Sequence, residues 1–169
     1  PKLKTAISDL EVISQKKKSS LYYFKYFLDN SDSFIIVSTT RPETVFGDVA
    51  VAINPKDEKN IKFAGMVIKS PFNNRSIKII VDEYADLTKG SGAVKITPAH
   101  DFNDYDIAIK HNLPFINILN DDGTLNDDVP KNFRNLKTID AREKVLAFMS
   151  EIDVFVKEEK IDNTIPVGD

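Results

Sequence analysis

Cysteine is absent from the 169-residue chain. That excludes disulfides, zinc ribbons and thiol nucleophiles, and a reducing, cytoplasmic compartment is the expectation that goes with it. Histidine occurs only twice, too sparsely for a catalytic zinc site, so no metal is expected. Long apolar runs are missing too. Phe34-Ile35-Ile36-Val37 falls far short of the ~18 residues a membrane helix needs, and no membrane partner is expected. Pro1-Lys2-Leu3-Lys4 has no apolar segment behind it and no initiator Met, which reads as the cut edge of a larger protein and not as a signal peptide. Nor is there a basic excess. Lys plus Arg is 23, Asp plus Glu is 26, and the formal net charge is −3. This disfavours a free-standing domain that grips nucleic acid through a broad basic face. It leaves room for RNA delivered by a neighbouring domain.

What is present is a globular composition. Hydrophobic residues make up 41 % and charged residues 29 %, enough to bury a core, and the length fits one domain over 1–169. Aromatic and β-branched clusters predict strands at Leu3–Ile7, Leu10–Ile13, Leu21–Leu28, Phe34–Ser38, Val49–Ile53, Ala93–Thr97 and Phe115–Leu119. Met66–Ile68 and Ser76–Val81 flank Pro71-Phe72-Asn73-Asn74 and predict a hairpin. Val154–Lys157 and Thr164–Val167 could pair with each other. Lys16-Lys17-Lys18-Ser19-Ser20, Asn30-Ser31-Asp32-Ser33 and Asp121-Asp122-Gly123 read as turns. One short helix is expected from about Asp104 to His111, capped by Asp101 or Asn103. A second begins at an Asp140/Glu143 capping pattern and carries Ala141, Val145, Leu146, Met149 and Ile152 at helical spacing. The fold class is α+β: a curved or barrel-like, mainly antiparallel sheet with a few short flanking helices.

Two segments crowd polar residues against apolar strands. In the first, Ser38 to Asp48, three threonines, Arg41 and Glu43 follow a strand directly. Pro42 suits the first turn of a short helix with Thr40 as a candidate N-cap. A strand end meeting a helix start aims backbone N–H groups at anionic or carbonyl oxygens, although an ordinary capped turn would look the same. In the second, Lys89 to Tyr105, Gly90 and Gly92 let the backbone approach something closely. Without a third glycine and a helix directly behind, they form no dinucleotide fingerprint. Ala93, Lys95 and Thr97 share one strand face, with Val94 and Ile96 turned to the core. His100, Asp101 and Asp104 invite a metal reading, but a lone His beside Asp is more often a structural hydrogen-bond partner. No G-x-S-x-G elbow supports a serine nucleophile. Asp121-Asp122 and Asp127-Asp128 are solvated turn charges without EF-hand spacing. The residue chemistry gives a polar pocket between two loops and leaves its substrate open.

TTRPETVFGDVAVAINP at 39–55 and GSGAVKITPAHDFNDYDIAIKHNLP at 90–114 resemble the editing domain, or connective polypeptide 1, of class I aminoacyl-tRNA synthetases. The resemblance covers essentially the whole chain and is closest to the valyl branch. The first segment is shared with leucyl- and isoleucyl-enzymes, while KITPAHDFNDY at 95–105 separates the branches: leucyl-type domains usually carry Met where this chain has Lys95. Residues 6–12 and 164–169 resemble the strands that connect such a domain to its catalytic body, so 1–13 and 164–169 are expected to be connectors. Lys89 stands where many relatives have an aromatic. The ATP-site HIGH and KMSKS signatures are missing, so ATP and Mg are implied only for a full-length parent.

The resemblance implies hydrolysis of a wrong amino acid from the 3′ end of tRNA; in the valyl branch this is threonine on tRNA(Val). Water is the implied nucleophile and no cofactor is implied. Asp104 would hold the substrate ammonium, with Lys95 and Thr97 partnering the hydroxyl. Thr39, Thr40, Arg41, Thr44, His100 and Asp101 would line the pocket and position the adenosine. The expected partners are the tRNA end and the rest of the synthetase, with the chain itself monomeric. Two alternatives are an editing domain of a leucyl- or isoleucyl-enzyme and a non-catalytic RNA-binding module.

Overall fold

The computed structural model describes residues 14–166. The expected strands Leu3–Ile7 and Leu10–Ile13 lie outside them. Seven strands form one sheet: β1 (Ser14–Phe27), β2 (Phe34–Thr39), β3 (Ala50–Ile53), β4 (Val67–Lys69), β5 (Ser76–Val81), β6 (Val94–Ile96) and β7 (Phe155–Pro166). Their order across the sheet is β4-β5-β3-β6-β2-β1-β7. The β1–β2, β1–β7, β3–β6 and β4–β5 pairs are antiparallel, whereas β2–β6 and β3–β5 are parallel. The sheet curls until the end of β1 meets β4. There Leu28 bridges Ile68, and the Asp29 N–H donates to the Val67 carbonyl at 2.9 Å. This closure is the curved, mainly antiparallel α+β architecture that the strand count predicts.

The period of two places the core. All four residues of β3 are buried, and they divide by parity. Val51 and Ile53 join Phe24, Ile35, Val37, Ile77 and Ile79 inside the curl. Ala50 and Ala52 join Ile96, Ala108 and Leu113 in a second cluster outside it. Helix α1 (Tyr105–Lys110) covers the outer cluster, and helix α2 (Thr138–Glu151) packs Ala141, Val145 and Met149 on the inner one. Burial of a Val or Met side chain contributes about 1.5–3 kcal/mol each, so this apolar stripe, at the spacing the sequence shows, holds α2 down. At its far end α1 is tied by Asp82, which meets Lys110 at 3.0 Å and His111 at 2.9 Å.

Several sequence expectations change. Lys16–Ser20 is no turn but part of β1, paired with β7 from Ser14↔Pro166 onward. Ser14–Ser20 holds no apolar residue, so no apolar alternation marked it. Val154–Lys157 and Thr164–Val167 do not pair with each other, because Phe155 to Pro166 is one continuous strand. Phe115–Leu119 forms no strand. Its one ladder contact is a Leu119–Leu125 bridge, and the Ile118 N–H donates to His100 Nε2 at 2.9 Å. Helix α2 starts before Asp140: Lys137 is the N-cap and makes no side-chain cap bond, while Asp140 sits in the first turn. A carboxylate is favoured there by the helix dipole, so the acidic signal was real but displaced. Likewise Arg41, not Thr40, precedes the 3-10 helix Pro42–Gly47, with Pro42 at its start.

Candidate functional site

The cavity is assembled where β2 and β6 end side by side, joined through Ser38↔Val94. After β2 the chain turns through Thr39–Arg41 into the 3-10 helix Pro42–Gly47; after β6 it turns through Pro98–Asp101 into the 3-10 helix Phe102–Asp104. Asp101 caps this second turn by accepting from the Asn103 N–H at 2.9 Å. The glycine pair serves the same junction. Gly90 has φ +54°, and a Cβ there would lie 2.2 Å from Ser38 Oγ, so only glycine lets this backbone approach β2. The resulting cavity has a volume of about 210 Å³, and Thr39, Thr40, Arg41, Thr44, Lys95, Thr97, His100, Asp101 and Asp104 all line it. Every site residue named from the sequence is thus in one place. That is below the ~300–1,000 Å³ of common small-molecule pockets.

The polar face that begins on β6 lines the cavity and is buried. Lys95 is 7 % exposed and Thr97 3 %, and on the other face Ile96 is buried and Val94 half-buried. A lone ammonium there would be costly, and it is met by three partners. Lys95 Nζ donates to Thr44 Oγ1 at 2.9 Å, to Asp48 Oδ1 at 2.6 Å and to Thr97 Oγ1 at 2.9 Å. The Thr97 hydroxyl donates to the same Asp48 Oδ1 at 2.6 Å, and the Tyr26 hydroxyl donates to Asp48 Oδ2. Burial pushes the Asp48 carboxyl up; the Lys95 charge and these hydrogen bonds pull against it. Among the described residues no buried side-chain polar atom lacks a partner.

Asp104 is 2 % exposed. Its Oδ2 accepts from the Thr97 N–H at 2.8 Å and its Oδ1 from the Tyr84 hydroxyl at 2.7 Å. Burial raises this carboxyl above the usual carboxylate range despite both bonds. His100 uses Nε2 to accept the Ile118 N–H, and burial, with Arg41 and Lys95 nearby, lowers its pKa. It is therefore a neutral ring whose Nε2 is occupied. Arg41 is exposed and donates to the His100 carbonyl at 2.8 Å, linking the two loops across the cavity.

Four contributors escaped the sequence reading. Asp48 lies inside the first segment but has no local signal of its burial. Tyr26 and Tyr84 come from separate strands and loops. Arg142, on α2, grips the buried Glu43 with Nε at 2.8 Å and Nη2 at 3.0 Å, fixing the 3-10 helix that carries Thr44. Arg142→Ala leaves the buried Glu43 with only the Arg41 guanidinium, at 3.8 Å, and should cost about 1–3 kcal/mol, discounted because Arg142 is partly solvated. Thermal unfolding should show a fall of roughly 2–10 °C; an unchanged midpoint would remove this strut.

A family model for the leucyl-tRNA synthetase editing domain matches residues 48–139, more than half of the chain. Relatives named valine–tRNA ligase match nearly its full length. That of Pelagibacter ubique is 47 % identical over 99 % of this chain, that of Francisella tularensis 48 % over 100 %, and that of Coxiella burnetii 43 % over 100 %. The chain spans only 18–19 % of the length of these relatives. Among solved structures, the LeuRS of a LeuRS–tRNA–LeuAMS ternary complex from Agrobacterium radiobacter matches with TM-score 0.60 at 20 % identity, over 95 % of this chain and 22 % of that one. At that identity the likeness speaks for the fold. Among the described residues no helix is long and apolar enough to cross a membrane. The family model over residues 48–139 and the curled sheet agree: this chain belongs to the leucyl-tRNA synthetase editing-domain family.

Proposed function

We propose that the chain proofreads for a valyl-type synthetase, hydrolysing the ester that joins threonine to the 3′ end of tRNA(Val). The observation that carries this reading is the single cavity of about 210 Å³ in which Asp104, Lys95 and Thr97 meet the Thr39–Thr44 loop. Similarity to valine–tRNA ligases over the whole chain supports the branch. A synthetase pocket built for valine rejects the hydroxylated isostere only ~10²-fold, so a second, hydrolytic site is needed, the case that double-sieve editing was described for.

In this reading Asp104, with Asp101 at the rim, binds the substrate ammonium. Arg41 and Thr39–Thr40 hold the adenosine end. Water is the nucleophile in this reading; the Thr44 hydroxyl is committed to the Arg41 carbonyl at 2.8 Å, Thr97 to Asp48, and His100 to Ile118. No step calls for ATP, which belongs to the catalytic body of a full-length parent. The test is deacylation of purified tRNA(Val) carrying threonine, valine or isoleucine. Preferential loss of threonine is expected; equal rates, or preference for isoleucine, would overturn the valyl assignment. Hydrolysis should also survive EDTA at rates unchanged once the Mg²⁺ needed for tRNA folding is restored. The cavity's one imidazole spends Nε2 on a backbone N–H, and among the described residues no three His, Asp or Glu gather as a metal set. Recovery with zinc alone would refute this.

A further inference from the structure

The hydrogen bonds at the floor of the cavity can be counted proton by proton. A lysine ammonium carries three protons, and those of Lys95 are spent on Thr44 Oγ1, Asp48 Oδ1 and Thr97 Oγ1. A hydroxyl carries one. That of Thr44 goes to the Arg41 carbonyl and that of Thr97 to Asp48 Oδ1. An ionised carboxylate can only accept, so at 2.6 Å from Asp48 the Thr97 proton has a single direction. Each hydroxyl has accepted once, from Lys95, and keeps one lone pair. Asp104 accepts one bond at each oxygen and retains further capacity. Lys95, Thr97, Thr44 and Asp104 therefore offer acceptors and no free donor.

We propose that Asp48, backed by Tyr26, is a positioning residue for specificity: it fixes the protons of Lys95 and Thr97 so that the cavity selects a ligand side chain able to donate a hydrogen bond. This rests on the editing reading above and adds the direction in which the hydroxyl is recognised. Asp48 does not touch the substrate in this scheme; it acts through Thr97 and Lys95. A threonine hydroxyl satisfies a lone pair at Thr97 or Thr44. A valine methyl leaves it buried and unpaired, and fluorine, which can only accept, would face it lone pair to lone pair. A site that instead read the hydroxyl through Lys95 as donor would tolerate fluorine.

The full chain is assayed on tRNA(Val) charged with threonine, with valine, or with the threonine analogue whose hydroxyl is replaced by fluorine. Threonine should leave roughly 5–150-fold faster than either of the others, the range of one unpaired buried polar group. Hydrolysis of the fluoro ester at the threonine rate would overturn the inference while leaving the editing function standing; no hydrolysis of the threonine ester would overturn the function itself. In Asp48→Ala the acceptor that holds the Thr97 and Lys95 protons is gone, which frees the Thr97 proton to turn into the cavity. The threonine-over-valine ratio should then fall by roughly 5–50-fold and the fluoro ester should gain on valine. Rates that drop in parallel with every ratio unchanged would show a merely structural Asp48. If Asp48→Ala does not fold, Tyr26→Phe substitutes for it, since it removes one anchor of Asp48 outside the cavity. There the ratio should fall roughly 2–5-fold, half or less of a lost buried bond, and an unchanged ratio in folded protein would overturn the assignment.

Discussion

Replacing Lys95 with Met lowers stability by about 3–5 kcal/mol, the cost of stripping one member from a buried ion pair. Among the described residues Asp48 has no other cation in contact, and its two oxygens keep only the hydroxyls of Thr97 and Tyr26. For a domain of this size the unfolding midpoint should drop by roughly 6–20 °C. The loss has a stated pH dependence. With the ammonium gone, burial dominates Asp48 and holds its folded-state pKa above the unfolded value. A group raised in this way favours the fold below the unfolded pKa and loses that contribution as pH climbs through the folded pKa. The variant should therefore recover toward the parent as pH falls toward about 4 and be worst at neutral pH. Adding Asp48→Asn removes the stranded charge, and the double variant should regain about 1–3 kcal/mol over Lys95→Met. Chemical denaturation of the two singles and the double closes the cycle. A Lys95→Met protein within ~1 kcal/mol of the parent, independent of pH, would show that the network carries no net charge pair.

That network explains how far the sequence could be read. Strands whose faces differ in solvent exposure were legible: the aromatic half of β1, β2 with its buried Ile35 and Val37, and the β4–β5 hairpin all show their period. The first half of β1 was not, because Ser14–Ser20 holds no apolar residue to alternate. Phe115–Leu119 misled for the opposite reason. Ile118 is buried, yet its N–H is satisfied by a histidine ring instead of a neighbouring strand, and no local pattern distinguishes the two. In the cavity, residues adjacent in sequence to the two loops were found, since loop chemistry is local. Asp48 was passed over because its meaning comes from Lys95, 47 positions away, and from Tyr26, 22 away. Lys95 and Thr97 showed a polar face, but not that the face is buried. Their burial follows from the curl of the sheet, which no period of two reveals.

Asp104 carries the second large effect. Asp104→Asn should reduce hydrolysis of Thr-tRNA by roughly 10–150-fold, the value of an ammonium–carboxylate bond of about 1.5–3 kcal/mol. The fold should hold. The amide oxygen can still accept from the Thr97 N–H, and the amide nitrogen can donate to the Tyr84 oxygen, so both neighbours stay satisfied. Asp104→Ala is a poorer probe, because it strands the buried Thr97 N–H at a cost of about 1–3 kcal/mol and mixes stability into the rate. Ammonium binding needs Asp104 ionised. Burial raises its pKa, so the acid limb of the rate profile should lie above the ordinary carboxylate range near 4. The Tyr84 hydroxyl bonds to the charged form and lowers the pKa; removing it must raise it. Tyr84→Phe should therefore move the acid limb to higher pH while the rate on the plateau, where Asp104 is fully ionised, changes little. A pH–rate profile of the parent and both variants decides this. Parental rates in Asp104→Asn would take Asp104 out of the substrate's reach. An acid limb that stays put in Tyr84→Phe would mean that the group titrating in the rate is not Asp104.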